Sequence, residues 1–327
     1  MHFRKTGFHA NTGCVNLNQS FQDCPRAGRL VVRTEVEALL EAHRSAGHSV
    51  DVAGVRTFVR DEGTGAVPVV CVHGVPVSSY LWRRLLPELA ARGLRGVAPD
   101  FPGLGLSDRP ADFDYSWTGL GRHLTLTLDA LGISRFHLVV HDIGGPVGFE
   151  VAAHAPERVA SLTVLNTMVQ AHTFRKPLQM RPFAWPVIDR LWLAAGRGPI
   201  FRYLARLTGL SPDTRTTNAE LAVHQALLLG SDGGRAFRRI MRGFETTYAK
   251  TELYAAALSD DHYPVQVLWG ADDPFLTLGK HGRIAARTAG IAEPTPLRGK
   301  HFVPEDSAPE IAERILRLTE STPKVEN

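Results

Sequence analysis

The sequence predicts an α/β fold in which a mostly parallel central sheet is flanked by helices and interrupted by an inserted helical cap. Three observations predict it. Short apolar runs alternate with stretches of helical periodicity, the order that lays parallel strands under helices on both faces. One of these runs, VVHDIGG (139–145), ends on a small-residue corner that hands over to a helix. From about 169 to 258 the strands stop, and Pro177, Pro182, Pro186, Pro199 and Pro212 divide an Arg-rich stretch into short helices.

The elements follow in order. Residues 1–28 are polar and unpatterned and are predicted to be a disordered extension. TEVEALLEAHRSAG (34–47) has helical spacing, and HSVDVAG (48–54) with VRTFVRDEG (55–63) reads as an antiparallel pair at a sheet edge. VPVVCVHG (67–74) is apolar enough to be buried on both faces. A helix from Ser79, a strand at LRGVAPD (94–100) and the loop FPGLGLSDRP (101–110) come next. A helix through about 116–131, the strand before Asp142, the helix after it and the strand SLTVLNTM (161–168) continue the alternation. After the cap, PVQVLWG (264–270) restores the strand signal, a helix runs through about 277–289, and APEIAERILRL (308–318) closes the chain. The predicted core is therefore 29–168 with 259–327, and the cap is 169–258.

Composition narrows the function classes. With 44% hydrophobic and 21% charged residues over 327 positions, the chain is of ordinary globular type. A net charge of +4 from scattered arginines, without a dense basic run, argues against nucleic acid as a partner. No run is long and uncharged enough to span a membrane, so a membrane partner is not expected either. Cys14, Cys24 and Cys71 have neither disulfide-framework nor zinc spacing, which points to a reducing cytoplasm and to no metal. The partner expected is a small-molecule substrate, with a homodimer left open.

The chemistry starts at Asp142. A carboxylate on a strand–turn–helix corner attacks without needing a base, and it suits displacement at saturated carbon. The ester it would form must be cleaved by water, which needs a histidine, an acid to orient it and N–H donors for an oxyanion. His301 in GKHFVPED and Asp273 in GADDPF follow later strands, where parallel sheets gather reactive groups. The backbone N–H groups of Val75 and Ile143 can converge on one oxygen. His73 reads as a brace for the loop, and His141 as a neighbour of the substrate.

Together HGVPVSSYLW, APDFPGLGLSDRP, VVHDIGG, WGADDPF and HFVPEDSAPEIA resemble the aspartate-nucleophile branch of the α/β-hydrolase superfamily, which holds epoxide hydrolases and haloalkane dehalogenases. The resemblance covers about 48–320, implies the α/β-hydrolase fold, and implies Asp142 as nucleophile, His301 as base and Asp273 as its partner. No cofactor is implied. Haloalkane dehalogenases usually place Trp after the nucleophile and Asn after His-Gly, where this chain has Ile143 and Val75. Epoxide hydrolases generally use two cap tyrosines. Tyr248 is the expected late one, with Tyr254 next, and Trp192 stands where the early one is usual. The resemblance thus implies an epoxide hydrolase for an apolar, polycyclic-sized substrate, with a haloalkane dehalogenase as the alternative and an esterase, lactonase or non-catalytic binding protein behind both. Cap arginines read as solvated surface.

Overall fold

The computed structural model describes residues 25–321, with side chains from residue 34 onward. The chain opens on α1 (Pro25–Ser45), which begins inside the stretch expected to be disordered. Residues 25–28 are helical, with Pro25 at a first position where no N–H is missed. The expectation for residues 1–24 lies outside the described residues.

The hairpin β1 (Gly47–Val52) and β2 (Val55–Glu62) turns through Ala53 and Gly54, both at positive φ (51° and 79°), as two-residue hairpin turns require. Then come β3 (Val69–Val72), a 3₁₀ turn over Ser79–Arg83, α2 (Leu85–Ala90), β4 (Gly96–Pro99), α3 (Trp117–Ala130), β5 (Phe136–Asp142), α4 (Gly144–His154) and β6 (Val159–Thr167). The segment between β6 and the next strand is helical: α5 (Pro186–Ala195), α6 (Pro199–Gly209), α7 (Asn218–Leu229), α8 (Arg235–Arg242) and α9 (Tyr248–Leu258). The chain finishes with β7 (Val265–Gly270), α10 (Arg283–Thr288), β8 (Thr295–Leu297), the short α11 (Val303–Asp306) and α12 (Ala308–Glu320).

Eight strands form one sheet in the order β1-β2-β4-β3-β5-β6-β7-β8. The β1–β2 and β2–β4 pairs are antiparallel, and the other five are parallel. Every residue of β3 and β5 is buried, as their unbroken apolar runs predict. The pleat sorts them by parity. Val70, Val72, Leu138 and Val140 join the core under α3 and α4, while Val69, Cys71 and Val139 join the core under α2 and α12.

Helix α9 packs on α4, so the last helix of the segment read as cap lies in the layer beside the sheet. Its Tyr254 is fully buried, with ring centroids 5.6 Å from Phe149 and 6.3 Å from Trp117. Among the described residues no helix is long and apolar enough to cross a membrane.

Candidate active site

Asp142 is the last residue of β5, and Ile143 and Gly144 begin the turn into α4. Its φ of 53° lies in the left-handed region, which costs a non-glycine residue about 1–3 kcal/mol and persists only when neighbours enforce it. Two features do so. The Thr167 hydroxyl donates to the Asp142 carbonyl at 2.5 Å, and Gly145 lies so close beneath that a Cβ there would overlap the Thr167 hydroxyl. Gly74 is required for a similar reason, because a Cβ would overlap the Asp142 carboxylate.

The carboxylate is 6% exposed and held from two sides. The Val75 N–H donates to Oδ1 at 2.8 Å, and Oδ2 lies 3.4 Å from His301 Nε2. On its other edge His301 Nδ1 donates to Asp273 Oδ2 at 2.8 Å. Asp273 also accepts from the Phe275 and Leu276 N–H groups and from the Asn166 side-chain amide at 2.7 Å. The structure thus brings Asp142, His301 and Asp273 together, and it selects Asp273 over its neighbour Asp272.

The electrostatics follow from this geometry. Burial opposes protonation of His301, but the carboxylates of Asp273 and Asp142 outweigh it and raise its pKa to about 10. For Asp273 burial works upward, and the imidazolium with the donated hydrogen bonds holds its pKa below the ordinary value. The two carboxylates therefore favour the protonated form of the histidine between them. Neutralising Asp142 would remove one of those charges and lower the His301 pKa.

Asn166 was not legible in the sequence. It ends the apolar run of β6 at φ 31°, its Nδ2 on Asp273 and its Oδ1 accepting from the Gly270 N–H at 2.9 Å. A lone amide at the carboxyl end of an apolar strand was the available signal.

The remaining expected residues divide. His73, expected as a loop brace and also among the substrate-binding residues, does not line the cavity: it accepts from the Phe101 N–H at 3.0 Å and donates to the Gly74 carbonyl, and burial lowers its pKa to about 4. His141 does not line the cavity. It lies fully buried behind His301, donating to the His301 carbonyl at 2.7 Å, and burial first, then His301, lowers its pKa to about 4. It holds the His301 backbone and stands off the cavity. Ile143 is fully buried at the start of α4.

The expected cap donors are not at the site. Tyr248 is 73% exposed and stacked on His172 at 4.0 Å, because α9 runs along the flank of the core and not over the cavity. Tyr254 is excluded for the same reason, its ring being spent on the packing of α9 against α4. Trp192 does line the cavity, but its indole N–H already donates to the Gln179 carbonyl at 2.9 Å.

The cavity beside Asp142 and His301 measures about 180 Å³. Its walls are apolar, with Met168, Phe174, Phe183, Trp192, Leu228 and Phe237 from six different elements or loops. Apart from Asp142 and His301, the polar side chains on its wall are Gln179 and Thr208, and the Thr208 hydroxyl is used on the Leu204 carbonyl. Among the described residues no cluster of His, Cys, Asp and Glu is placed to hold a metal ion.

The profile of the alpha/beta hydrolase fold matches residues 67–308. The chain belongs to the α/β-hydrolase family. Within it, this hydrolase is 30% identical over 284 residues to a haloalkane dehalogenase of Mycobacterium marinum, covering 83% of this chain and 93% of that protein. It is 31% identical over 261 residues to haloalkane dehalogenase 1 of Mycobacterium bovis, covering 78% and 84%. Among solved structures it is similar to one from Pseudomonas aeruginosa provisionally named an epoxide hydrolase, with a TM-score of 0.68, 26% identity, and 84% and 95% of the two chains covered. The hydrolase therefore has relatives in both activities of the aspartate-nucleophile branch.

Proposed function

We propose that the hydrolase opens an apolar epoxide to a vicinal diol through an ester on Asp142. The observation that carries this reading is the poised carboxylate, with Oδ1 held by the Val75 N–H, Oδ2 facing His301, and an apolar cavity at its side. Oδ2 bonds to a ring carbon as the C–O bond of the strained ring breaks. The released oxygen stays attached to the substrate and takes a proton from water, and the hydroxide this leaves takes the imidazolium proton of His301, so that neutral imidazole faces the ester. Gln179 is suited to steady that oxygen, since its carboxamide lines the cavity and has no hydrogen-bond partner among the described residues. It replaces Tyr248 as the cap donor in this reading, as a hydrogen-bond donor and not as an acid.

In the second half His301, freed of the Asp142 charge, takes a proton from water, whose oxygen attacks the ester carbon. The Val75 and Ile143 N–H groups receive the oxyanion, and collapse returns the Asp142 carboxylate with release of the diol. Haloalkane dehalogenation is the second reading. It is favoured by the names of the two mycobacterial relatives and by the lack of an acid on the cavity wall, since a halide needs no proton.

The test is His301→Gln with a panel of epoxides and haloalkanes, followed by intact-protein mass spectrometry. The expected result is an adduct of substrate mass on Asp142 that accumulates with epoxides. Adducts from haloalkanes alone would move the assignment to the second reading, and adducts from neither class would remove Asp142 as nucleophile.

A further inference from the structure

The segment from 175 to 206 carries an unusual surface. Along α5 the side chains of Val187, Ile188 and Leu191 are 49–74% exposed, and along α6 those of Ile200, Tyr203 and Leu207 are 52–65% exposed. Their spacings, i, i+1, i+4 and i, i+3, i+7, put each set on one helix face. Leu178, just before, is 76% exposed. Exposed apolar helix faces of this kind on a folded protein mark a contact site.

Charge decides what the contact is. Arg175, Lys176, Arg181, Arg190, Arg197, Arg202 and Arg206 lie in this segment, and its one acid is Asp189. Asp189 is fully buried and neutralised from within by Arg238 at 2.9 Å and by Arg242. All the charge this segment turns outward is therefore positive. Beside α5, Arg190, Arg197, Arg235 and Arg238 line a cleft with Ser231. Asp232, the acid of that cleft, is committed to Arg109 and to the N–H groups of Gly234 and Ala236. Arg190 and Arg235 have no acceptor among the described residues. Arginines that read as scattered in the sequence are gathered by the fold into one cleft beside α5.

We infer that this face docks on an anionic lipid bilayer, with α5 and α6 laid in the interface and lipid phosphates in the arginine cleft. Apolar side chains ringed by cations are what such an interface selects, because acyl chains take the first and anionic headgroups the second. The same two helices border the cavity. Trp192 and Leu204 both line it and are 44% and 38% exposed, which places them at its mouth. An apolar substrate dissolved in the bilayer then reaches Asp142 without crossing water; this consequence rests on the proposed function, whereas the docking itself does not. The sequence-based expectation of no membrane partner concerned spanning segments, and a surface-lying mode needs none.

The test uses the full chain and needs no turnover. Flotation is measured with phosphatidylcholine vesicles and with vesicles containing about a third phosphatidylglycerol, at low salt and at about 0.5 M NaCl, where charges are screened within a few ångström. Partitioning is expected to be about tenfold higher on the anionic vesicles and to fall to the neutral level in high salt. Leu191→Ser/Leu207→Ser and Arg190→Glu/Arg235→Glu change exposed side chains that do not line the cavity, and each pair is expected to lower partitioning about tenfold. Their melting temperatures serve as the folding check. Equal partitioning on both lipids, no partitioning of the wild type, or unchanged partitioning in both double variants would overturn the inference. Self-association through this face without vesicle binding, or saturation of the cleft by inorganic phosphate without vesicle binding, would overturn it in favour of a dimer contact or a soluble anion.

Discussion

Two buried carboxylate–histidine pairs sit a few residues apart in this hydrolase, and the pKa values of their histidines shift in opposite directions. His301 donates to Asp273 at 2.8 Å, and His224 of α7 meets Glu305 of α11 at 2.9 Å. His301 has a second carboxylate, Asp142, on its other nitrogen, and no arginine or lysine partners either acid among the described residues. Its pKa is raised. Glu305 is instead gripped by Arg83, with Arg84 at 3.4 Å and the Thr216 hydroxyl at 2.9 Å, and its own pKa is depressed despite burial. Burial lowers the His224 pKa, and the Arg83 charge cancels part of what Glu305 would restore. The pair alone does not make a base; the charge balance around it does.

The second cluster ties the helical segment to the core, since Thr216, Glu220 and His224 meet Arg83 and Glu305 across the seam. Removing its central charge is the largest test of the contrast. Glu305→Gln leaves Arg83 buried with less compensation and is expected to cost about 3–5 kcal/mol, read by urea denaturation. Turnover per folded molecule should stay within about twofold, as for a change away from the reacting atoms. A stable variant with lost turnover would reverse the roles of the two clusters.

A smaller effect separates the pairs by pH. The His301 pKa is raised from 6.5 to about 10, so its contribution to stability is complete below pH 6.5 and is lost as pH rises through 10. His73 and His141, lowered to about 4, work the other way: their contribution holds above pH 6.5 and is lost as pH falls toward 4. The melting temperature should therefore decline on both sides of neutrality. In His301→Gln the alkaline decline between pH 7 and about 10 should shrink while the acid decline remains. An alkaline limb that persists unchanged in that variant would contradict the imidazolium assignment.

The smallest expected effect concerns the residue that sequence reasoning favoured as acid. Tyr248→Phe removes a hydroxyl at an exposed position outside the cavity, so stability should move by less than about 0.5 kcal/mol. Stopped-flow rates of ester formation and ester hydrolysis should both be unchanged. Selective slowing of ester formation would return Tyr248 to the site.

The sequence by itself determined the parts of this protein whose signals are local. Apolar runs marked the strands of the sheet, the small-residue corner marked Asp142, and the order Asp142, Asp273, His301 past the ends of β5, β7 and β8 marked the three side chains that meet, because a parallel sheet brings strand ends together. Tertiary structure alone decided the rest. Whether α9 lies over the cavity or along α4 depends on packing between helices distant in sequence, and that choice removed Tyr248 and Tyr254 from the site. The same long-range packing buried Asp189 under two arginines, tied the Trp192 indole to Gln179, and placed Asn166 behind Asp273. None of these contacts leaves a periodic or spaced mark in the chain, since each pairs side chains whose separation in sequence is set by the fold rather than by the pitch of a helix or the pleat of a strand.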